Sequence, residues 1–189
     1  MKFPFTLKLG PTGKIVFAIF AIAILVFLVW MVVAFNGLVT KQVAVQAQWA
    51  QVENQMQRKF DLIPTLVQIS RNYSQFEASL LTNLTELRYR WANATDVLTQ
   101  MNVSNLASLT LATWATVVED NNLRTIQVVE DLFVEVAGTE NRIAYERLRY
   151  NDRVQDYNTS IRTFPNSMVA GMFGFRSEPF FDPIPGGPP

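Results

Sequence analysis

The side chains of this chain that could move a proton are carboxylates, among them Glu53, Asp61, Glu77, Glu86, Glu130, Asp131, Glu135 and Glu140. There is no histidine and no cysteine, which removes the commonest general base and metal ligand, the thiolate nucleophile and the disulfide. A carboxylate-bridged di-metal site in a helical scaffold needs paired Glu-x-x-His motifs, and none can exist here. Glycosidase chemistry needs two carboxylates facing each other across a cleft, which thin helical bodies rarely provide. No glycine-rich phosphate loop occurs either. The acids therefore read as solvated faces and helix-end charges. No catalytic, cofactor-binding or metal residue is assigned, no cofactor is expected, and the chain reads as a non-enzyme.

Charge says little about partners in solution. Sixteen basic and sixteen acidic residues cancel over 189 positions, so nucleic acid is not an expected partner. Membrane lipid is. Ile15 to Phe35, "IVFAIFAIAILVFLVWMVVAF", is twenty-one residues without a charge. As a helix it would be about 31 Å long, the thickness of a bilayer's hydrocarbon layer. Its bulky end, with Trp30 and Phe35 at belt positions, differs from a signal peptide's short apolar region and small-residue cleavage site. The segment reads as an uncleaved anchor. Lys2, Lys8 and Lys14 precede it, against Lys41 alone in the twenty residues after it. The positive-inside rule then predicts a cytoplasmic N-terminus and an extracytoplasmic body.

The elements beyond the anchor follow from periodicity. Leu38, Val45, Trp49, Val52, Met56, Phe60 and Ile63 fall on one helical stripe, predicting that Trp49 is buried. Leu62, Leu66, Ile69, Tyr73, Phe76 and Leu80 form a second, with Asp61 as cap and Pro64 in its first turn. A third runs from Ile126 to Ile161, with Asp120 or Asn121 as its cap and a kink or close contact expected at Gly138. Val97 to Val118 is apolar but rich in Thr and Ser, and its helix is the weakest expectation. No alternating run bounded by hairpin turns appears, so strands are not expected.

The expected fold class is all-α: an N-terminal transmembrane helix continuing into an elongated antiparallel four-helix bundle, with an extended Pro-rich C-terminal tail. The expected segments are a cytoplasmic terminus at 1–14, the span at 15–35, the bundle at 36–176 and the Pro/Gly-rich tail at 177–189. Glu140 and Arg147 fall in seam positions of the last helix. They either reach solvent across a narrow bundle or form a polar pair with Arg58 or Glu53 of the first helix that fixes register.

Two surface features bear on function. Five N-x-S/T sequons, at Asn72, Asn83, Asn93, Asn102 and Asn158, are candidate glycosylation sites, or simply part of an Asn- and Thr-rich helical surface. The stretch "TFPNSMVAGMFGF" carries no charge and at about 20 Å is too short to cross a bilayer. Phe164, Met168, Val169, Met172, Phe173 and Phe175 would share one side of a short helix, capped by Asn166 and stopped by Gly174. Such a strip could lie on the bilayer, lid the bundle, or meet another copy of the chain.

Two blocks, "FNGLVTKQVAVQAQWAQVENQMQRKFDLIPTLVQISRNYSQFE" after the anchor and "GTENRIAYERLRYNDRVQDYNTSIRTFPNSMVAGMFGF…PFF" near the end, resemble the LemA family. The resemblance covers roughly residues 35–181, with the middle matched in pattern only. It implies a single-anchor membrane protein with a helical body, and it carries over no catalytic residue. The Thr/Ser-rich helix between Asn93 and Val118, uncharged beyond Asp96, departs from the family's more charged pattern. The expected role is a membrane-anchored scaffold acting through homo-oligomeric assembly at the membrane surface, shaping or organising it. The alternative is an adaptor or regulator of another membrane protein, such as a protease; oligomer mass in mild detergent separates the two.

Overall fold

The computed structural model describes residues 11–182; Lys2, Lys8 and residues 183–189 of the expected tail lie outside them. Among the described residues there are five α-helices, one short 3-10 turn and no strand. Helix α1, Pro11–Ser70, is a single 60-residue helix of about 90 Å. Its first part is the candidate membrane span: the most apolar window has a mean hydropathy of 3.2 and none of it is buried inside the protein.

The expected break at Asp61 is absent. Pro64 lies inside α1, although it removes a backbone N–H. Phe60, Ile63, Leu66 and Val67, all buried, pin the helix on both sides of the proline. Asp61 caps nothing and accepts a hydrogen bond from Gln57 Nε2 at 2.8 Å.

Helix α2, Ala78–Ala92, turns back along α1. Its Trp91 ring stacks on Phe60 at 4.8 Å and donates Nε1–H to Gln57 Oε1 at 3.0 Å. Helix α3, Val97–Asp120, forms in full despite its Thr and Ser content, started by the Asp96 carboxylate accepting from the Thr99 N–H. Several of its Thr hydroxyls donate to the carbonyl four residues back, which satisfies them without leaving the helix. Trp114 anchors it, donating to Ser70 Oγ at 2.8 Å and stacking on Phe76.

Helix α4, Gln127–Arg162, follows a 3-10 turn at Leu123–Thr125. Asp120 and Asn121 do not cap it. Asn121 closes α3, and Asn122 takes a left-handed φ of 52° to reverse the chain, a conformation asparagine tolerates well. A Cβ at Gly138 would meet nothing within 4 Å, so the expected close contact there is also absent. α4 packs along α1 over most of its length, whereas α3 and α4 barely meet. Between them opens an apolar cleft of about 190 Å³ lined by Leu111, Trp114, Phe133 and Val136, with Ser108 and Glu140 at one end.

Helix α5, Asn166–Phe173, follows Pro165 rather than an Asn166 cap, and ends at Gly174 with φ 76°, where glycine carries no Cβ penalty. The chain then runs extended as far as it is described. Residues 177–182 are not a loose tail. Phe181 is buried, and the segment is a strap held on α4.

Candidate functional site: an apolar cap beside the span

The uncharged stretch splits into an inward and an outward face. Val169 and Ala170 are buried. Phe173 and Phe175 close over Phe35, with ring centroids 4.8 and 5.6 Å away. Phe35 is the last residue of the apolar span, so α5 is fixed at the end of the body where the span begins. Outward, Phe164 is 76%, Met172 68%, Phe173 51% and Met168 50% exposed. Phe173 does both, touching Phe35 with one edge. Of the six strip residues, Val169 is therefore core, Phe175 is half-buried, and the other four form an exposed apolar cap. An uncharged apolar surface of this kind can meet lipid or another apolar surface, but offers no acid–base group.

The strap seats this end. Asn158 donates Nδ2–H to the Glu178 carbonyl and accepts from the Glu178 N–H, both at 2.9 Å. Asn151 does the same to Phe181, at 3.0 and 2.8 Å. Seven helical residues rise about 10 Å, and three extended residues cover about the same distance, so the two carboxamides meet backbone groups in step. Tyr150 adds Oη–H to the Pro179 carbonyl at 3.0 Å; burial, with the Glu178 charge, pushes its phenol above the ordinary tyrosine value. Phe181 sits against Trp49 and beneath the Arg147 guanidinium. Trp49, expected to be buried, is half-buried because it lies on the flank of α1 where Tyr150 and Phe181 cover it from one side. Asparagines seven apart opposite a Pro-containing extended segment were the available sequence signal.

The polar seam on α4 is real but differently paired. Glu140 meets Lys59 of α1, not Arg58 or Glu53, with Nζ 3.3 Å from Oε1. The Lys59 side chain is 2% exposed. Its Nζ donates to Ser104 O, Ser104 Oγ and Ser108 Oγ at 2.9, 2.8 and 2.8 Å. Those three acceptors take the ammonium's three protons, which explains why Glu140 Oε1 is near Nζ yet makes no hydrogen bond of its own. Ser108 in turn offers its single proton to Glu140 Oε2 at 2.9 Å. Burial lowers the Lys59 pKa; Glu140 opposes the shift and Arg147 adds to it. Lys59 lies seven residues after Val52, a seam step that its charge disguised. Arg147 does not join the pair, but covers Phe181.

The sequons divide as well. Asn72, Asn83, Asn93 and Asn102 are exposed, whereas Asn158 is buried and its carboxamide is committed to the strap. Among the described residues no group of three or more His, Cys, Asp or Glu gathers to hold a metal ion.

Over the described residues, an all-helical protein with one candidate membrane helix, an attached helical body and an apolar cap at their junction is the class these features define. The LemA family model matches residues 48–185, most of the chain beyond the candidate span, and the chain belongs to that family. Two curated proteins of Paramagnetospirillum magneticum, the magnetosome proteins MamQ 1 and MamQ 2, are each similar to it at 21% identity, over 97% of this chain and 77% of theirs.

Proposed function

We propose that the chain is a membrane-anchored scaffold that acts by assembling with copies of itself at the extracytoplasmic face of a membrane, organising or shaping that surface. The observation that carries this reading is the cap: Phe164, Met168 and Met172 are exposed while Phe173 is tied to Phe35 at the end of the span. Copies anchored in one bilayer present these caps in a common plane, where confinement raises effective concentration and weak apolar contacts suffice. Membership of a family that includes no established enzyme chemistry in this chain's residues, and the likeness to two magnetosome proteins, support a membrane-associated structural role. α1 runs unbroken from span to body, so what one cap grips, the whole body follows.

The test is full-length protein in mild detergent, as the native chain and as Met168→Glu with Met172→Glu. Both methionines point outward, so the melting temperature should hold while the assembly mass falls at least twofold. A native chain that is monomeric, or an assembly mass unmoved by the two charges, overturns the scaffold reading and favours the adaptor.

A further inference from the structure

α4 carries a second unpartnered face, remote from the cap. Val134, Ala137, Asn141, Tyr145 and Leu148 fall at steps of three, four, four and three, so they make one stripe. All five are exposed, Val134, Tyr145 and Leu148 at 57, 58 and 62%. Scattered exposed apolar residues need no explanation; a continuous stripe on the longest helix of the body does. We propose that this stripe is an antiparallel seam to α4 of a second copy of the chain.

Self-complementarity is what selects the occupant. With a two-fold axis at Asn141, Val134 faces Leu148 of the other copy, Ala137 faces Tyr145, and the two Asn141 carboxamides meet each other. Small residues oppose large ones, and the single polar position pairs with itself, as buried asparagines do when they fix register. The charges agree. On one flank of the stripe, Asp131 and Glu135 lie towards the N-terminal half, and Arg142 and Arg149 towards the C-terminal half. Helices laid antiparallel bring the same flanks together, so the acidic half of each copy meets the basic half of the other. Parallel helices would not pair these groups. None of Asp131, Glu135 or Arg142 forms an ion pair among the described residues; Arg149 has one long contact with Glu146 at 3.9 Å and lies 5.7 Å from the ring centroid of Tyr145 on its own helix. At the stripe's two ends the same axis sets Glu130 opposite Asp152 of the other copy, a like-charge pair in which Glu130 is already held by Arg124.

The anchor converts this contact into a geometry. α1 is continuous with the span and α4 packs along it, so antiparallel α4 helices carry their spans away in opposite directions. The two copies then sit in facing membranes. Glu140 is level with Lys59, twenty-four residues beyond Phe35, which puts the axis about 36 Å above the span's end. The facing bilayers would lie about 70 Å apart, and α1, ending about 52 Å above its own bilayer, fits within the gap. The seam rests on the proposed anchoring but not on the α5 cap, and it gives the scaffold a second direction of assembly.

The chain has no native cysteine, so cross-linking is clean. Full-length Val134→Cys and Leu148→Cys proteins, mixed in mild detergent and oxidised, should form a disulfide dimer at least fivefold more than either alone, while Asn141→Cys should form one with itself. Arg149→Glu in the mixed pair should reduce the yield several-fold, and Glu135→Arg added to it should restore it. Vesicles carrying the native chain should cluster, and those carrying the Met168→Glu/Met172→Glu chain should cluster equally. Cross-linking of Leu148→Cys with itself at the mixed-pair level would overturn the seam in favour of a parallel contact. Absence of both expected disulfides, with helical content and melting temperature unchanged, would overturn it altogether.

Discussion

Lys59 shows how one residue can govern the interior of this protein. Its ammonium is sealed between α1, α3 and α4, with two serines and Glu140 as its partners. Removing one side of a buried pair costs more than the pair contributes, because the remaining charge is left without compensation. The two sides differ in exposure, 2% for Lys59 against 30% for Glu140. Glu140→Gln strands a buried cation and should destabilise by about 2–4 kcal/mol. Lys59→Met removes the buried charge and leaves Glu140 on a side chain 30% exposed, although its Oε1 and the serine acceptors lose their donor; it should cost less than Glu140→Gln, and equal losses in urea unfolding would contradict the assignment. A pH dependence follows. Because the folded-state pKa of Lys59 lies below its ordinary 10.5, the unfolded chain binds more protons between those two values, and stability rises with pH across that window. The rise should be visible on the alkaline side before the tyrosines begin to titrate, and should flatten in Lys59→Met. The raised tyrosines Tyr150 and Tyr157 act oppositely only above the ordinary phenol value of 10. Sequence periodicity put Glu140 in a seam but could not name its partner, since a lysine stem long enough to snorkel reads as surface.

At the scale of elements, the stripes were legible where both sides of a helix have different chemistry, and misleading where a single residue type suggested a boundary. Pro64 and Asp61 resemble a helix start, yet the buried residues around them hold α1 through to Ser70. The Thr/Ser-rich α3 forms with its hydroxyls bonded back to the helix; its exposed Leu109 borders the cleft that α4 leaves open, and its exposed Leu106 lies on the side of α2. The extended conformation of residues 177–182 agrees with their proline content, which excludes helix; the clasp on α4 was not legible, because it depends on side chains that replace the segment's missing neighbours. Asn151→Ala and Asn158→Ala each remove two hydrogen bonds and leave a half-buried backbone N–H without a partner. Each should cost about 1–3 kcal/mol and open residues 177–182 to limited proteolysis. A loss below about 0.5 kcal/mol, with the strap still protected, would mean that Phe181 in its place against Trp49 holds the segment without them.

For the molecule as a whole, the span and the body are one mechanical piece. α1 passes from apolar window to core without a loop, and Phe35 is gripped by Phe173 and Phe175 from the far end of the chain. The apolar run, the helical class and the family blocks were legible in sequence because each depends on composition and local spacing. The weak α3–α4 seam was not, because which helices close on one another depends on side-chain volume summed across four elements. The flanking charges carry the expected orientation across the membrane. Lys14 precedes the span along with Lys2 and Lys8, against Lys41 alone in the twenty residues after it. Positive flanks are retained on the cytoplasmic side, so the body should face outward. In intact cells, a cysteine at Ser79, exposed near the start of α2, should react with a membrane-impermeant thiol reagent. A cysteine at Thr6, ahead of the span in sequence, should react only after the cells are opened. Because the chain supplies no cysteine of its own, each label reports one position. The reverse pattern would place the cap and the α4 stripe in the cytoplasm, and with them any contact between copies.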